Sequence, residues 1–225
     1  MIIGILSGKG GVGKSTIALN LAAAFSTLSE RCILIDADVH TPAQGLLLGS
    51  PRNEHGLQDV LCSRKSIREV TYKHPDGFHI IFSHLNQSAD YTNLREHFDD
   101  LFGCANFIIV DGPSGLQGVD EFIKACDCVL VVTQPDDICS IQALQLIKKA
   151  QDLGVDIAGI LVNAVDTNFS LETISVLLGI APIHVLNKDE SIIKATQAKT
   201  HVFTSYRDKP FAQQLLTIAD SLRKI

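Results

Sequence analysis

The feature that most constrains this chain is the stretch Gly8-Lys9-Gly10-Gly11-Val12-Gly13-Lys14-Ser15-Thr16, which satisfies GxxxxGK[ST] in full. It stands between the apolar run Ile2, Ile3, Ile5, Leu6 and the helix-forming run Ile17–Phe25. A strand feeding a glycine-rich loop and then a helix is the context that a phosphate-binding loop requires. Glycines at 8, 10, 11 and 13 let the backbone wrap an anion with its N–H groups turned inward. The helix that follows adds the positive end of its dipole. Lys14 is placed to reach the β- and γ-phosphates of a nucleotide, and the Ser15 hydroxyl to join the shell of a Mg²⁺ ion. A glycine-rich turn that binds nothing is the competing reading, and the flanking strand and helix argue against it.

Three further segments carry carboxylates or amides to strand ends. Cys32–Asp36 reads as a buried strand followed by Asp36-Ala37-Asp38. Asn106–Val110 is another, ending in Asp111-Gly112-Pro113-Ser114-Gly115. In a parallel α/β sheet ligands gather at the carboxyl ends of strands, so these aspartates should face the phosphate loop. There they can hold the waters of Mg²⁺ and polarise an attacking water. Ile157–Val162 forms a third strand, ending in Asn163.

The second lysine of the loop gives KGGVGKST, which resembles the deviant Walker A loop of the MinD/ParA family of ATPases. The resemblance covers essentially the whole chain and is strongest at residues 8–16, 36–38 and 111–115. It implies a doubly wound, mostly parallel α/β sheet with helices on both faces, and ATP with Mg²⁺ as cofactors. It implies that Gly8 to Thr16 bind nucleotide and that Lys9 contacts phosphates across an ATP-dependent homodimer. By the same resemblance Asp38 positions the hydrolytic water, Asp36 supports the metal shell, Asp111 belongs to switch II, and Asn163 reads adenine. The catalytic group is then Lys9, Lys14 and Asp38, and the metal group Ser15, Asp36 and Asp111. Several positions depart from the family: His40, Thr41, Pro42 and Gln44 match no single subfamily, Ser114 replaces an alanine, Ala164 stands where an arginine is frequent, and Asn187 replaces a proline.

Composition sets the remaining bounds. The 225 residues contain no linker, repeat or low-complexity segment, which predicts one domain over 1–225. With 46% hydrophobic residues and no tryptophan, the core should be large and aliphatic. A net charge of −6 without a basic cluster argues against general nucleic-acid binding. Six scattered cysteines and no signal peptide point to the cytoplasm. Family members often carry a membrane-targeting helix beyond the last element; ending at Ile225, this sequence reads as lacking it, so membrane contact is not expected without an added anchor.

Two functions follow. One is a slowly hydrolysing dimerisation switch for division-site placement or partition, acting through a protein activator or cargo. The other is a metallocluster carrier or nickel-insertion ATPase, for which Cys126-Asp127-Cys128 is the candidate site. Two cysteines are half a four-ligand site, and their strand setting favours buried apolar thiols. His74, His79 and His84 share no ligand spacing and read as loop or strand residues. Asn187-Lys188-Asp189-Glu190 only superficially matches NKxD. Helices are predicted to start at Ser66 and to span Asp90–Phe102, Ser140–Leu153 and Pro210–Ile225.

Overall fold

The computed structural model describes residues 1–50, 54–84, 91–166, 174 and 183–225. Eight strands form one sheet in the order β3-β4-β2-β5-β1-β6-β7-β8. They are β1 (Ile2–Ser7), β2 (Cys32–Asp36), β3 (Tyr72–Lys73), β4 (His79–Ile81), β5 (Phe107–Ser114), β6 (Cys128–Thr133), β7 (Asp156–Val165) and β8 (Ile183–Asn187). All neighbours run parallel except the edge pair β3 and β4. This is the doubly wound arrangement that the alternating pattern predicts.

A sheet buried on both faces demands near-continuous apolar strands, and the central ones are apolar until their carboxyl ends, where Ser7, Asp36, Asp111 and Thr133 stand. Successive side chains then serve different cores. Ile2, Leu6, Ile33, Ile35, Val129 and Val131 belong to one core. Ile3, Ile5, Cys32, Leu34, Cys128, Leu130 and Val132 belong to the other. The first core is covered by α3 (Leu57–Leu61), α4 (Leu94–Asp99), α5 (Asp120–Lys124) and α6 (Asp137–Asp152). The second is covered by α1 (Lys14–Thr27), α7 (Glu190–Gln197), α8 (Val202–Ser205) and α9 (Pro210–Leu222). A short α2 (Gln44–Leu47) completes the set. The alanine-rich stretch of α1, Ile17 to Phe25, is buried throughout, because small side chains let sheet and α9 approach it together.

The structure corrects several predicted elements. Residues 67–70 form turns rather than a helix: Glu69 bonds the N–H and hydroxyl of Ser66, closing the segment on itself before β3. The predicted helix from Asp90 shortens to α4; residue 90 itself lies outside the described residues, and Phe102 is exposed rather than core, with Arg95 over its ring. Helix α6 starts three residues earlier than predicted because Asp136 caps it through the Cys139 N–H at 2.9 Å. On it Ile141 points to solvent, while Ala143, Leu146, Ile147 and Ala150 form the packed face. The helix predicted to reach Ile225 ends at Leu222: α9 buries Phe211, Leu215, Ile218 and Leu222, and Ile225 lies beyond it, exposed. Among the described residues no helix is long and apolar enough to cross a membrane.

Candidate nucleotide-binding site

Strand β1 ends at Ser7 and α1 begins at Lys14, so the loop between them lies at the carboxyl edge of the sheet. Gly13 caps α1 with φ of 93°, a left-handed backbone that glycine adopts without strain. A cavity of about 360 Å³ opens over the loop, lined by Ser7, Gly10, Gly11, Gly13, Lys14, Ser15, Thr16, Asp38, Thr41 and Ser114. Three predicted loop residues are not among them. Gly8 packs against Gln142 of α6, Val12 is buried in the core, and Lys9 is exposed.

Beneath the cavity lies a cluster of charges. Lys14 Nζ bonds Asp111 Oδ1 at 2.7 Å and stands 3.8 Å from Asp38 Oδ2. Asp36 and Asp111 are register partners on β2 and β5, and both are fully buried. Asp36 accepts the N–H groups of Ala43 and Gln44 at 3.0 and 2.9 Å, and that of Asp38 at 3.3 Å. It thereby anchors the segment that presents Asp38. Asp38 in turn accepts the Thr41 N–H at 2.9 Å. Burial, and then the neighbouring Asp111 carboxylate, push the Asp36 pKa well above the usual carboxylate value. Three carboxylates around one lysine, with the Ser15 hydroxyl nearby, make a hard oxygen donor set with excess negative charge. That is the chemistry of a Mg²⁺ site.

Sequence reasoning gave Gln44 no role, yet it ties the site together. Fully buried, its Nε2 donates to Asp111 Oδ2 at 2.8 Å and to the Ser15 carbonyl at 3.0 Å. Tyr91 was likewise unassigned: its hydroxyl donates to the Ala37 carbonyl at 2.6 Å, holding the backbone between the two aspartates. Asn163 sits on the other flank, where its Nδ2 donates to the Val12 carbonyl at 2.7 Å. With Ala164, Asn187, Lys188, Ile192 and Ile193 it lines a second, mostly apolar cavity of about 400 Å³. Asp189, the acidic residue of the near-NKxD stretch, caps α7 through Ser191 N at 2.8 Å and bonds Phe211 N at 3.2 Å.

Cys126 and Cys128 are both buried, one in each core, on opposite sides of the sheet. Burial pushes the Cys128 thiol up to about 12 and that of Cys126 higher still.

Fold and cavity together define a P-loop nucleotide-binding protein. The family model described as ParA, NUBPL iron-transfer P-loop NTPase, matches residues 1–173. An uncharacterised ATP-binding protein of Methanocaldococcus jannaschii is 31% identical over 98% of this chain and 86% of its own length. The septum site-determining protein MinD of Thermotoga maritima is 30% identical over 85% of this chain and 68% of that protein. In fold, the chain superposes with a TM-score of 0.92 on MinD of Pyrococcus horikoshii complexed with Mg-ADP, at 24% identity, covering 99% of this chain and 96% of that one. The chain belongs to the MinD/ParA family of P-loop NTPases.

Proposed function

We propose that this protein binds ATP with Mg²⁺, hydrolyses it slowly to ADP and phosphate, and acts as a switch whose ATP form is a homodimer. The observation that carries this reading is the division of labour between two lysines five positions apart: Lys14 is buried against its own carboxylates, whereas Lys9 is exposed and absent from the cavity its loop encloses. A lysine held on a phosphate loop but outside its own phosphate cavity is placed to serve a second copy. Asp136 lies close enough to feel its charge, though Cys139 dominates the lowering of that carboxylate.

Within one site, the loop N–H groups and the α1 N-terminus hold the phosphates. Lys14 neutralises charge on the β- and γ-phosphates. Mg²⁺, when bound by Ser15 and through water by Asp111 and Asp36, supplies neutralisation of the leaving phosphate oxygens. Asp38, steadied by Thr41 and the Asp36-anchored segment, orients the attacking water. Asn163 keeps its carbonyl for the adenine amino group beside the second cavity. The biological role fitting this family is positioning, such as division-site placement or partition, through a protein activator or cargo.

The test is solution mass with Mg-ATP and with Mg-ADP for wild type, Lys9→Ala and Asp38→Ala. A dimer with ATP alone, lost in Lys9→Ala and enriched in Asp38→Ala, is the expected result. Dimers that survive Lys9→Ala refute the switch. The family model's iron-transfer description supports a second reading, a metallocluster carrier. Iron or nickel retained on anaerobic purification and lost in Cys126→Ser would favour it, against the present placement of the two thiols in separate cores.

A further inference from the structure

A second cluster of ligand-type side chains lies far from the phosphate loop. Strand β4 runs parallel to β2 and begins at His79, so the turn before it sits at the amino edge of the sheet, opposite the nucleotide. That turn carries His74 and Asp76, and it meets His201, the residue that opens α8. The far end of α1 braces it, with Ser26 Oγ donating to the Asp76 carbonyl at 2.7 Å. Since α1 has 14 residues at about 1.5 Å each, roughly 20 Å separates this cluster from Lys14.

His201 Nε2 stands 2.7 Å from Asp76 Oδ2, and the same oxygen is 3.8 Å from His74 Nδ1. One ligand atom from each residue lies within 4.8 Å of the other two; among the described residues no other trio of histidine, cysteine or carboxylate groups is so close. His201 is only 2% exposed; its Nε2 faces the Asp76 carboxylate, while its Nδ1 has no hydrogen-bond partner among the described residues. A buried ring nitrogen left without a partner is costly. The rings are already oriented: His74 stacks on Phe78 at 4.3 Å, and His201 packs 5.5 Å from His74.

Two imidazoles and one carboxylate are the three-ligand set of a zinc-class ion, with water as fourth partner. We propose that His74, Asp76 and His201 form a binding site for a divalent cation of the zinc class, clasping the turn before β4 to the start of α8. Tetrahedral donors about 2.0–2.1 Å from zinc stand roughly 3.3 Å apart, so the wider pairs close by about 1.5 Å at most and the His201–Asp76 pair opens by about 0.6 Å. Asp76, 45% exposed, and His74 lie on the turn, which can supply that movement. His74 Nδ1, the ring nitrogen that faces Asp76, accepts the Asp76 N–H at 3.2 Å and exchanges that bond for the ion as the turn closes.

The experiment is equilibrium dialysis of the chelator-treated full chain against Zn²⁺ alone, with bound metal measured directly. The exposed thiols Cys62 and Cys104 are replaced by serine in every sample so that they cannot compete. The expected result is about one ion per chain, weakened at least tenfold by His74→Gln and by Asp76→Asn. Both substitutions fall on the turn rather than in the core, and a melting curve confirms that each variant folds. No uptake, or uptake unchanged in both variants, overturns the proposal. Loss of melting temperature in Asp76→Asn without any Zn²⁺ uptake by the parent would mean an ion pair only, and also overturns it.

Discussion

Replacing Gly112 by alanine tests whether the backbone beside Asp111 is fixed by close packing. Gly112 lies in β5, and a Cβ built there would clash with the tip of the Phe122 ring, standing 2.6 Å from Cε1 and 3.0 Å from the Ile5 carbonyl oxygen. Phe122 is fully buried on α5 and meets Tyr91 edge-on, so it has little room to swing away. Overpacking a tight core costs about 1–3 kcal/mol. Alanine returns about 0.4–1 kcal/mol by restricting the unfolded chain. The net loss is about 1–2 kcal/mol, which for a chain of this size lowers the melting temperature by about 2–8 °C. Melts of wild type, Gly112→Ala, Phe122→Leu and the double variant form a cycle that isolates the clash. The double variant should be more stable than the sum of the singles by about 0.5–2 kcal/mol. Strict additivity, or a Gly112→Ala protein as stable as wild type, would refute the packing argument.

Other consequences are simpler to read. Gln44→Leu keeps the side-chain volume but removes two hydrogen bonds, one of them to a charged carboxylate worth about 1.5–3 kcal/mol; part returns because Oε1 lacks a partner, so denaturant titration should show a loss near 1 kcal/mol. A thiol reagent should find two fast groups, Cys62 and Cys104, in the native protein and six after unfolding; rapid reaction of Cys126 or Cys128 would contradict their burial. Burial lowers the His184 pKa, so the unfolded chain binds a proton that the folded one resists. Its contribution to stability is present above about pH 6.5 and is lost on acidification below it, by less than about 1.4 kcal/mol per pH unit for a partly exposed ring. His184→Leu should flatten that limb of the melting-temperature profile, and an unchanged slope would rule the effect out.

How far the sequence reveals this molecule depends on how local each determinant is. The phosphate loop is written in consecutive residues, and Asp36 and Asp111 announce themselves as charges ending apolar runs. Gln44 and Tyr91 gave no such signal, since their partners Ser15, Asp111 and Ala37 lie on other elements. His74 and His201 are 127 positions apart, and only the turn before β4 makes them neighbours. The helix misplaced at Ser66 shows the opposite failure: charged spacing suited a helix, while side-chain bonds within the segment closed it as turns. Ile141 shows that an apolar residue on a surface helix can satisfy the helical period without facing the core.

The pairing of Lys14 with Asp111 makes ligand capture an exchange of partners. A phosphate that draws the ammonium away strands a fully buried carboxylate, and a cation that claims the carboxylate alone strands a buried ammonium. Each arrival is therefore unfavourable alone and favourable with the other. By linkage the two affinities must rise by the same factor, so polyphosphate and Mg²⁺ should enter this site as a neutralising couple, with metal-free nucleotide a far poorer ligand than its Mg²⁺ complex.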